Sequence, residues 1–385
     1  MKIRLPINTD VLKWARNSLG LSLDEVAQRL GAKFKAEIIQ DWENGESSPT
    51  YPQLEKLAQD IYKRPIAVFF FPIVPQEETP EKEFRTLPDF VIDELPTEII
   101  KLYRKAKLYQ LYLEELHEGL KPFPVILLDV FSLKEISDYT SVTKGIRQKL
   151  EISIEEQSSW RSVETAFKVW RQALEANGIF VFKEGFRNDN YSGFCLYHEK
   201  YPIIFVNNSM PTSRQVFTLF HELGHLLFHS GGIDFRNTEI IRTFQGYYQN
   251  IEVSCNRFAN EFLIPQEDFI SKIPKISEEN FNNLAEYYSV SREVILRKYL
   301  DLGLIDNHYY EEMAAKWSAQ IKKKKETIGN YYYNQRTYLG ERYINLVYNK
   351  FYQNKITIDS VAEYFNVKIK NLPAFENVVM EGGKR

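Results

Sequence analysis

His221-Glu222-Leu223-Gly224-His225 sets two imidazoles four residues apart, with a carboxylate beside the first. On a helix, residues i and i+4 share a face, so both rings can converge on one divalent ion. Glu222 then lies next to that face, where a carboxylate can take a proton from a polarised water and carry it to a leaving amine. This spacing points to hydrolytic zinc chemistry. The plain alternative is a helix with two surface histidines and a stray glutamate. Phe217, Leu219, Phe220, Leu223, Leu226 and Leu227 argue against it, because a helix this apolar is buried and buried imidazoles need partners.

A catalytic zinc takes three protein ligands and keeps one position open. His229 follows His221 by 8 residues, roughly 12 Å along a helix axis, which is too far for one helix to supply all three. It is read as a supporting or substrate-contacting residue. The third ligand must come from another element. The best candidate is Glu252, which opens E-V-S-C-N-R-F-A-N-E-F-L-I-P and shares a helical face with Asn256. Glu261 competes, and Cys255 could ligate as a thiolate, although a lone buried cysteine is more often inert packing. Small residues at 255 and 259 would let this helix approach the first.

Three short apolar runs precede these helices: Ile179–Phe182, Tyr191–Tyr197 and Pro202–Asn207. They read as three strands joined by turns. Tyr191–Tyr197 is the candidate sheet edge for an extended substrate, with Gly193 allowing close backbone approach. The metal-motif helix spans about 213–229, with Thr212 and Gln215 as an expected capping box. Residues 9–62 read instead as short helices. Asp10 is the expected first cap, Ser22 and Glu25 form a capping box, and Gly31 and Gly45 are stops. Four prolines from Pro72 to Pro88 mark a linker.

The 385 residues suffice for two or three domains. No apolar run reaches the roughly 18–20 residues of a membrane span, and the first residues lack the apolar core of a signal peptide. Two cysteines in so long a chain do not make a disulfide scaffold and fit a reducing cytosol. The net charge of −3 is uneven. Residues 1–75 hold 10 basic and 9 acidic side chains and residues 315–385 hold 13 and 6, leaving −11 for the middle. Separate modules are one reading, and a basic tail docked on an acidic body is the other. The run Lys322–Lys325 reads as a solvated linker face.

R-Q-V-F-T-L-F-H-E-L-G-H-L-L-F-H, with E-V-S-C-N-R-F-A-N-E-F-L-I-P after it, resembles the ImmA/IrrE zinc metallopeptidases over about residues 160–305. The resemblance implies His221, His225 and Glu252 as ligands of one Zn2+ per chain and Glu222 as general base. Phe262, Ile264 and Cys255 depart from the family pattern in packing positions only. L-S-L-D-E-V-A-Q-R-L-G and I-I-Q-D-W-E-N-G-E-S-S-P-T resemble XRE/Cro-type helix-turn-helix domains, whose third helix enters the DNA major groove. Lys33, Lys35, Gln40 and Asn44 are the candidate DNA-binding residues, and Trp42 is read as core. The domain carries only +1, with Glu37, Asp41 and Glu43 on or near the same helix, so dimerisation or a protein-contact role stays open.

The expected fold is therefore α+β. An all-α helix-turn-helix domain (1–72) and a linker (73–95) lead into a zincin-like domain (96–310) with a small three-stranded sheet packed on helices. A basic, tyrosine-rich helical region (311–385) follows, in which nucleic-acid contact and packing on the peptidase both stay open. The expected function is a cytoplasmic zinc endopeptidase that cleaves a helix-turn-helix repressor and so controls transcription. Double-stranded DNA and a second copy of the chain are further candidate partners, and no membrane is involved. The alternative is a transcriptional regulator or antitoxin-like protein whose zinc site is a sensor or inactive.

Overall fold

The computed structural model describes residues 5–62, 64, 66–75, 84, 95–133, 138–235, 246–273, 276–320 and 330–382. These form two compact units, one drawn from residues 1–82 and 89–104, the other from 83–88 and 105–385. Most of the expected linker 73–95, and all of Lys322–Lys325, lie outside the described residues.

The first unit is helical. It contains α1 (Thr9–Asn17), α2 (Leu23–Leu30), α3 (Ala36–Asn44) and α4 (Tyr51–Glu55), the last running into a wider π turn at Lys56–Ile61. Apolar positions at helical spacing bury Val11, Leu12, Val26, Leu30, Ile39, Trp42 and Leu54 in one core. The Ser22 capping box forms: Ser22 Oγ accepts from the Glu25 amide at 3.2 Å, and the Glu25 carboxylate accepts from the Ser22 amide at 2.8 Å. Gly45 ends α3 at φ 76°, a left-handed conformation that glycine adopts without cost. The first cap is Asn8, not Asp10. Asn8 Oδ1 accepts from the amides of Asp10 and Val11, while its Nδ2 donates to the Phe71 and Pro72 carbonyls. The amide side chain serves both ends of the unit at once, which a carboxylate could not do. Arg16 on α1 grips Glu43 on α3 with two bonds of 2.7 and 2.9 Å.

Helix α5 (Thr97–Leu116) supplies residues to both units. In the second unit α6 (Leu127–Val130), α7 (Tyr139–Leu150), α8 (Ile154–Ser159) and α9 (Val163–Ala176) lead into β1 (Phe180–Glu184), β2 (Tyr191–Leu196) and β3 (Ile203–Asn207). Then come α10 (Thr212–Leu227), β4 (Gly232–Phe235) and α11 (Tyr247–Leu263). Helices α12 (Gln266–Ser271), α13 (Glu278–Tyr288), α14 (Arg292–Asp301) and α15 (Asn307–Gln320) follow. The last are α16 (Tyr331–Leu339), α17 (Glu341–Tyr352), α18 (Ile358–Phe365) and α19 (Leu372–Gly382).

The sheet has four strands in the order β1-β3-β2-β4, not the expected three. β1 runs parallel to β3, and β2 runs antiparallel to both β3 and β4. The missed strand is Gly232–Phe235, which follows Gly231 and opens on glycine, a pair that by itself suggests a helix stop. Its pairing with β2 places Tyr191–Leu196 inside the sheet, so β2 is not an edge. The edges are β1 and β4. Both faces are covered, which is why the strands read as unbroken apolar runs. On one face Val181, Cys195, Ile204 and Val206 pack against Val216, Leu219, Phe220 and Leu223 of α10. On the other, Phe182 stacks on Tyr109 of α5 at 4.4 Å and meets Tyr343 of α17 edge-on at 5.2 Å.

The free edge of β1 is closed by charge. Arg171 on α9 donates to the Val181 carbonyl, and its partner Glu175 accepts from the Val181 amide. Arg171 also donates to the Thr337 and Tyr338 carbonyls at the end of α16, at 2.7 and 3.3 Å.

The Arg16–Glu43 pair makes a clean test of buried charge in the first unit. Arg16→Met should cost about 3–5 kcal/mol, because Glu43 is left buried without its partner. The double variant Arg16→Met, Glu43→Leu should recover most of that loss. Equilibrium denaturation of the full chain would show it, read from the unit's own transition.

Candidate metal centre

Helix α10 is buried along most of its length, yet it carries two imidazoles among its apolar side chains. Its start is set by Pro211 at the N-cap, so the expected Thr212–Gln215 capping box does not form. Proline offers neither a side-chain oxygen nor an amide for that box, and Gln215 Nε2 instead donates back to the Met210 carbonyl at 2.7 Å. From this start, His221 and His225 fall on one face, with their Nε2 atoms 3.2 Å apart. Helix α11 crosses α10 and brings Glu252 to them, its carboxylate oxygens 3.5 Å from His221 Nε2 and 3.3 Å from His225 Nε2. All three side chains are buried.

The two imidazole nitrogens and the carboxylate form a compact triangle, in which each ring nitrogen faces a different Glu252 oxygen. Ligands at the usual zinc distances of about 2.0–2.1 Å and tetrahedral angles stand about 3.3 Å apart, so these residues fit one face of such a site. Neither Glu252 oxygen makes a hydrogen bond among the described residues. Buried polar atoms without partners are rare in folded proteins, and a carboxylate with two imidazole nitrogens has the acceptor chemistry a divalent cation satisfies. Among the described residues these three form the single acidic and imidazole cluster of this kind. Sequence position had left Glu261 open as a ligand. It lies elsewhere, accepting from Lys298 Nζ at 2.7 Å and from the Gln266 amide at 3.1 Å. Cys255 is buried against Gly224 of α10, where a Cβ would fall 3.1 Å from its Cα, Cβ and Sγ.

Glu222 is wholly buried beside the triangle, and neither of its oxygens finds a hydrogen-bond donor. Burial pushes its carboxyl up to about 8, with Asp234 adding to the effect and His225 opposing it. For Glu252 burial acts in the same upward direction, but the two imidazoles prevail and hold it down to about 2.

Of the supporting residues, Asn256 lies one turn after Glu252, with Oδ1 3.2 Å from His221 Nδ1, which turns His221 Nε2 toward the triangle. Gly193 faces the helix: a Cβ there would lie 2.4 Å from Thr218 Cγ2, 2.7 Å from the Phe205 carbonyl oxygen and 3.8 Å from Glu222 Cγ. His229 stands apart from the triangle. It closes α10 in a left-handed conformation (φ 56°) and stacks on Tyr197 at 5.2 Å. Arg257 is exposed.

Three further residues escaped the reading of the sequence. A Cβ on Gly232 would lie 2.2 Å from His225 Cγ, so the β4 backbone itself forms the wall behind that ring. Asp234, buried on β4, accepts from Thr218 Oγ1 at 2.8 Å and from Arg214 Nη2 at 2.6 Å. Arg214 Nε also donates to Ser192 Oγ on β2 at 3.0 Å, so one arginine ties α10 to two strands. The only signal for Gly232 and Asp234 was their place just after the metal helix.

In the first unit Lys33, Lys35, Gln40 and Asn44 are all exposed, with Gln40 and Asn44 one turn apart on α3. Glu43 is turned inward by Arg16 and adds little to that surface. Trp42 is core.

Residues 174–299 match the family model described as IrrE N-terminal-like domain, a peptidase family, and residues 12–61 match the helix-turn-helix model. The first match runs from the end of α9 through the sheet and both metal-site helices to α14, and the second covers α1 to the π turn. The chain thus joins a segment similar to helix-turn-helix domains of XRE type to one similar to the ImmA/IrrE peptidase domain. No curated protein matches the chain. Among the described residues no helix is long and apolar enough to cross a membrane.

The close approach at Gly193 has a measurable consequence. Gly193→Ala should destabilise the second unit by several kcal/mol, roughly the upper range for overpacking, since the Phe205 carbonyl belongs to a paired strand and cannot retreat. Thermal denaturation followed by near-ultraviolet circular dichroism would report the loss; an unchanged melting point would show that the strand gives way freely.

Proposed function

We propose that this chain is a zinc-dependent endopeptidase coupled to a DNA-binding module, and that it cleaves a repressor-type regulatory protein to control transcription in the cytoplasm. The observation that carries this reading is the buried triangle of His221, His225 and Glu252, with ring nitrogens and carboxylate oxygens 3.2–3.5 Å apart and neither Glu252 oxygen hydrogen-bonded. Two imidazoles and one carboxylate suit zinc among the divalent ions, and three ligands leave a position open. When bound, the ion supplies Lewis acidity, which acidifies a water and polarises a peptide carbonyl.

The chain's own groups do the rest. Glu222 takes a proton on its carboxylate from the attacking water and passes it to the leaving amine nitrogen as the C–N bond breaks. Its burial beside the triangle keeps that proton from exchanging with bulk water between the two halves of the cycle. Asn256 fixes the ring of His221, and the Gly232 backbone fixes that of His225. With β2 interior, an extended substrate would pair with the outer edge of β4, the strand against which His225 lies. The other edge, β1, is closed at Val181.

A helix-turn-helix repressor is the favoured substrate because the fused module resembles one and would carry the peptidase to the operators where such proteins sit. Lys33 and Lys35 would meet phosphates, and Gln40 and Asn44 base edges, from a homodimer that compensates for the unit's low charge. On this reading residues 1–72 bind DNA, 73–95 link, 96–310 hold the peptidase and 311–385 complete its fold.

Glu222→Gln should keep one zinc per chain by elemental analysis while cutting cleavage of a neighbouring-gene repressor by at least about a hundredfold. Wild-type cleavage by the variant would sink the proposal. Zinc with no cleavage by either form, together with operator binding, would favour a regulator with a sensory metal. Separately, Gly232→Ala should displace the His225 ring and lower zinc occupancy sharply, with Asn256 and Glu222 untouched. Full occupancy in that variant would remove His225 from the ligand set.

A further inference from the structure

Away from the metal centre, a cleft of 1290 Å³ opens between α9 and β1 on one side and α16 and α17 on the other. That is larger than the roughly 300–1,000 Å³ of ordinary ligand pockets. The closed edge of β1 rules out a strand-adding peptide there, because the outward amide and carbonyl of Val181 already have partners in Glu175 and Arg171. The occupant must be read from the side chains instead.

Those side chains call for an oxygen-rich anion. Two nitrogens on the walls, Arg336 Nε and His117 Nε2, are buried without a hydrogen-bond partner. Arg336 Nε can only donate, and a buried donor needs an acceptor. Arg342 and Lys168 also line the cleft; neither makes a salt bridge among the described residues, and Arg342 is drawn only toward Glu175. Two of the cleft's carboxylates are neutralised within the protein: Glu175 by Arg171 at 2.9 Å and Glu341 by Arg336 at 2.6 Å. The other two, Glu164 and Glu381, are exposed. Flat apolar surface lies beside the cations. Arg342 sits 4.6 Å over the half-buried Phe123 ring, while Phe167 and Phe180 are buried behind the wall. Aromatic faces next to guanidinium groups accept a planar base by stacking.

We propose that this cleft is a nucleotide-binding site, with the phosphates held by Arg336, Arg342 and Lys168 and the base laid against the Phe123 ring and the guanidinium that stacks on it. The site stands apart from the peptidase reading and does not depend on it. It also reaches Thr212, the first residue of α10. The cleft thus borders the start of the helix that carries His221, nine residues further along.

The test is isothermal titration of the full chain with ATP, GTP, CTP and UTP, and with inorganic triphosphate as a probe that lacks the ring. At least one nucleotide should bind once per chain. Arg342→Ala and Lys168→Ala, both at exposed positions, should together weaken it about tenfold or more, the usual scale for charge-assisted contacts. Lys33→Ala with Lys35→Ala, in the helix-turn-helix unit, should leave it unchanged. Far-ultraviolet circular dichroism checks that the variants are folded, and Lys168→Glu offers a second charge change at the same wall. Four results would overturn the proposal: no nucleotide binding at millimolar concentration, triphosphate bound as tightly as any nucleotide, indifference to the cleft variants, or loss of binding in the Lys33/Lys35 variant.

Discussion

The centre of this molecule depends on how closely two helices can cross. Glu252 reaches the imidazoles because α11 lies against α10 at Gly224, where even a methyl group would stand 3.1 Å from three atoms of Cys255. A larger residue would hold the helices apart, and the carboxylate would leave the 3.3–3.5 Å range it keeps from the two rings. Metal coordination tolerates only a few tenths of an ångström. The glycine inside the motif is therefore as much a part of the site as the histidines that flank it.

The same logic governs the sheet. Gly193 on β2 and Gly232 on β4 bring strand backbone against Thr218 and against the His225 ring. Side chains at either place would occupy the volume of α10 itself. Arg214 then locks the arrangement by bonding Asp234 of β4 and Ser192 of β2 from one turn before Thr218. Three glycines and one arginine thus fix a helix from two sides, and the triangle of acceptors inherits its shape from that clamp. The buried pair Arg16–Glu43 does similar work in the first unit, joining α1 to α3 from within.

Local periodicity made the metal residues legible. The i, i+4 spacing of His221 and His225 needs no knowledge of the rest of the fold, and Glu252 stood at the head of an amphipathic helix with small residues on its inner side. Features set by distant pairing were not legible. β4 is four residues long and opens on glycine, and only its ladder with β2 makes it a strand. Without β4, β2 looked like an edge, and Asp234 looked like part of a loop. Caps failed for a related reason. Asn8 outranks Asp10 because its amide also reaches the Phe71 and Pro72 carbonyls, more than sixty residues away in sequence. At α10 the local Thr212–Gln215 pattern was real, but the proline before it moved the cap by one residue.

The last helices show how composition alone can mislead about use. Tyrosines interleaved with lysines suggest stacking on bases, yet the buried tyrosines among them serve the fold. Tyr343 stands edge-on to Phe182 and Tyr109, Tyr364 packs on Tyr112 at 4.7 Å, and Arg171 holds the end of α16. Lys350 and Lys355 both bond the Glu118 carboxylate, at 3.0 and 2.7 Å. Part of the tail's positive charge is thus returned to the acidic body, as the docked-tail reading of the charge asymmetry expected. The remaining cations are divided: Arg342 lines the cleft beside α9, whereas Lys368 and Lys370 are exposed outside it. A nucleic-acid groove needs a continuous cationic track, and lysines tied to Glu118 between buried tyrosines do not make one.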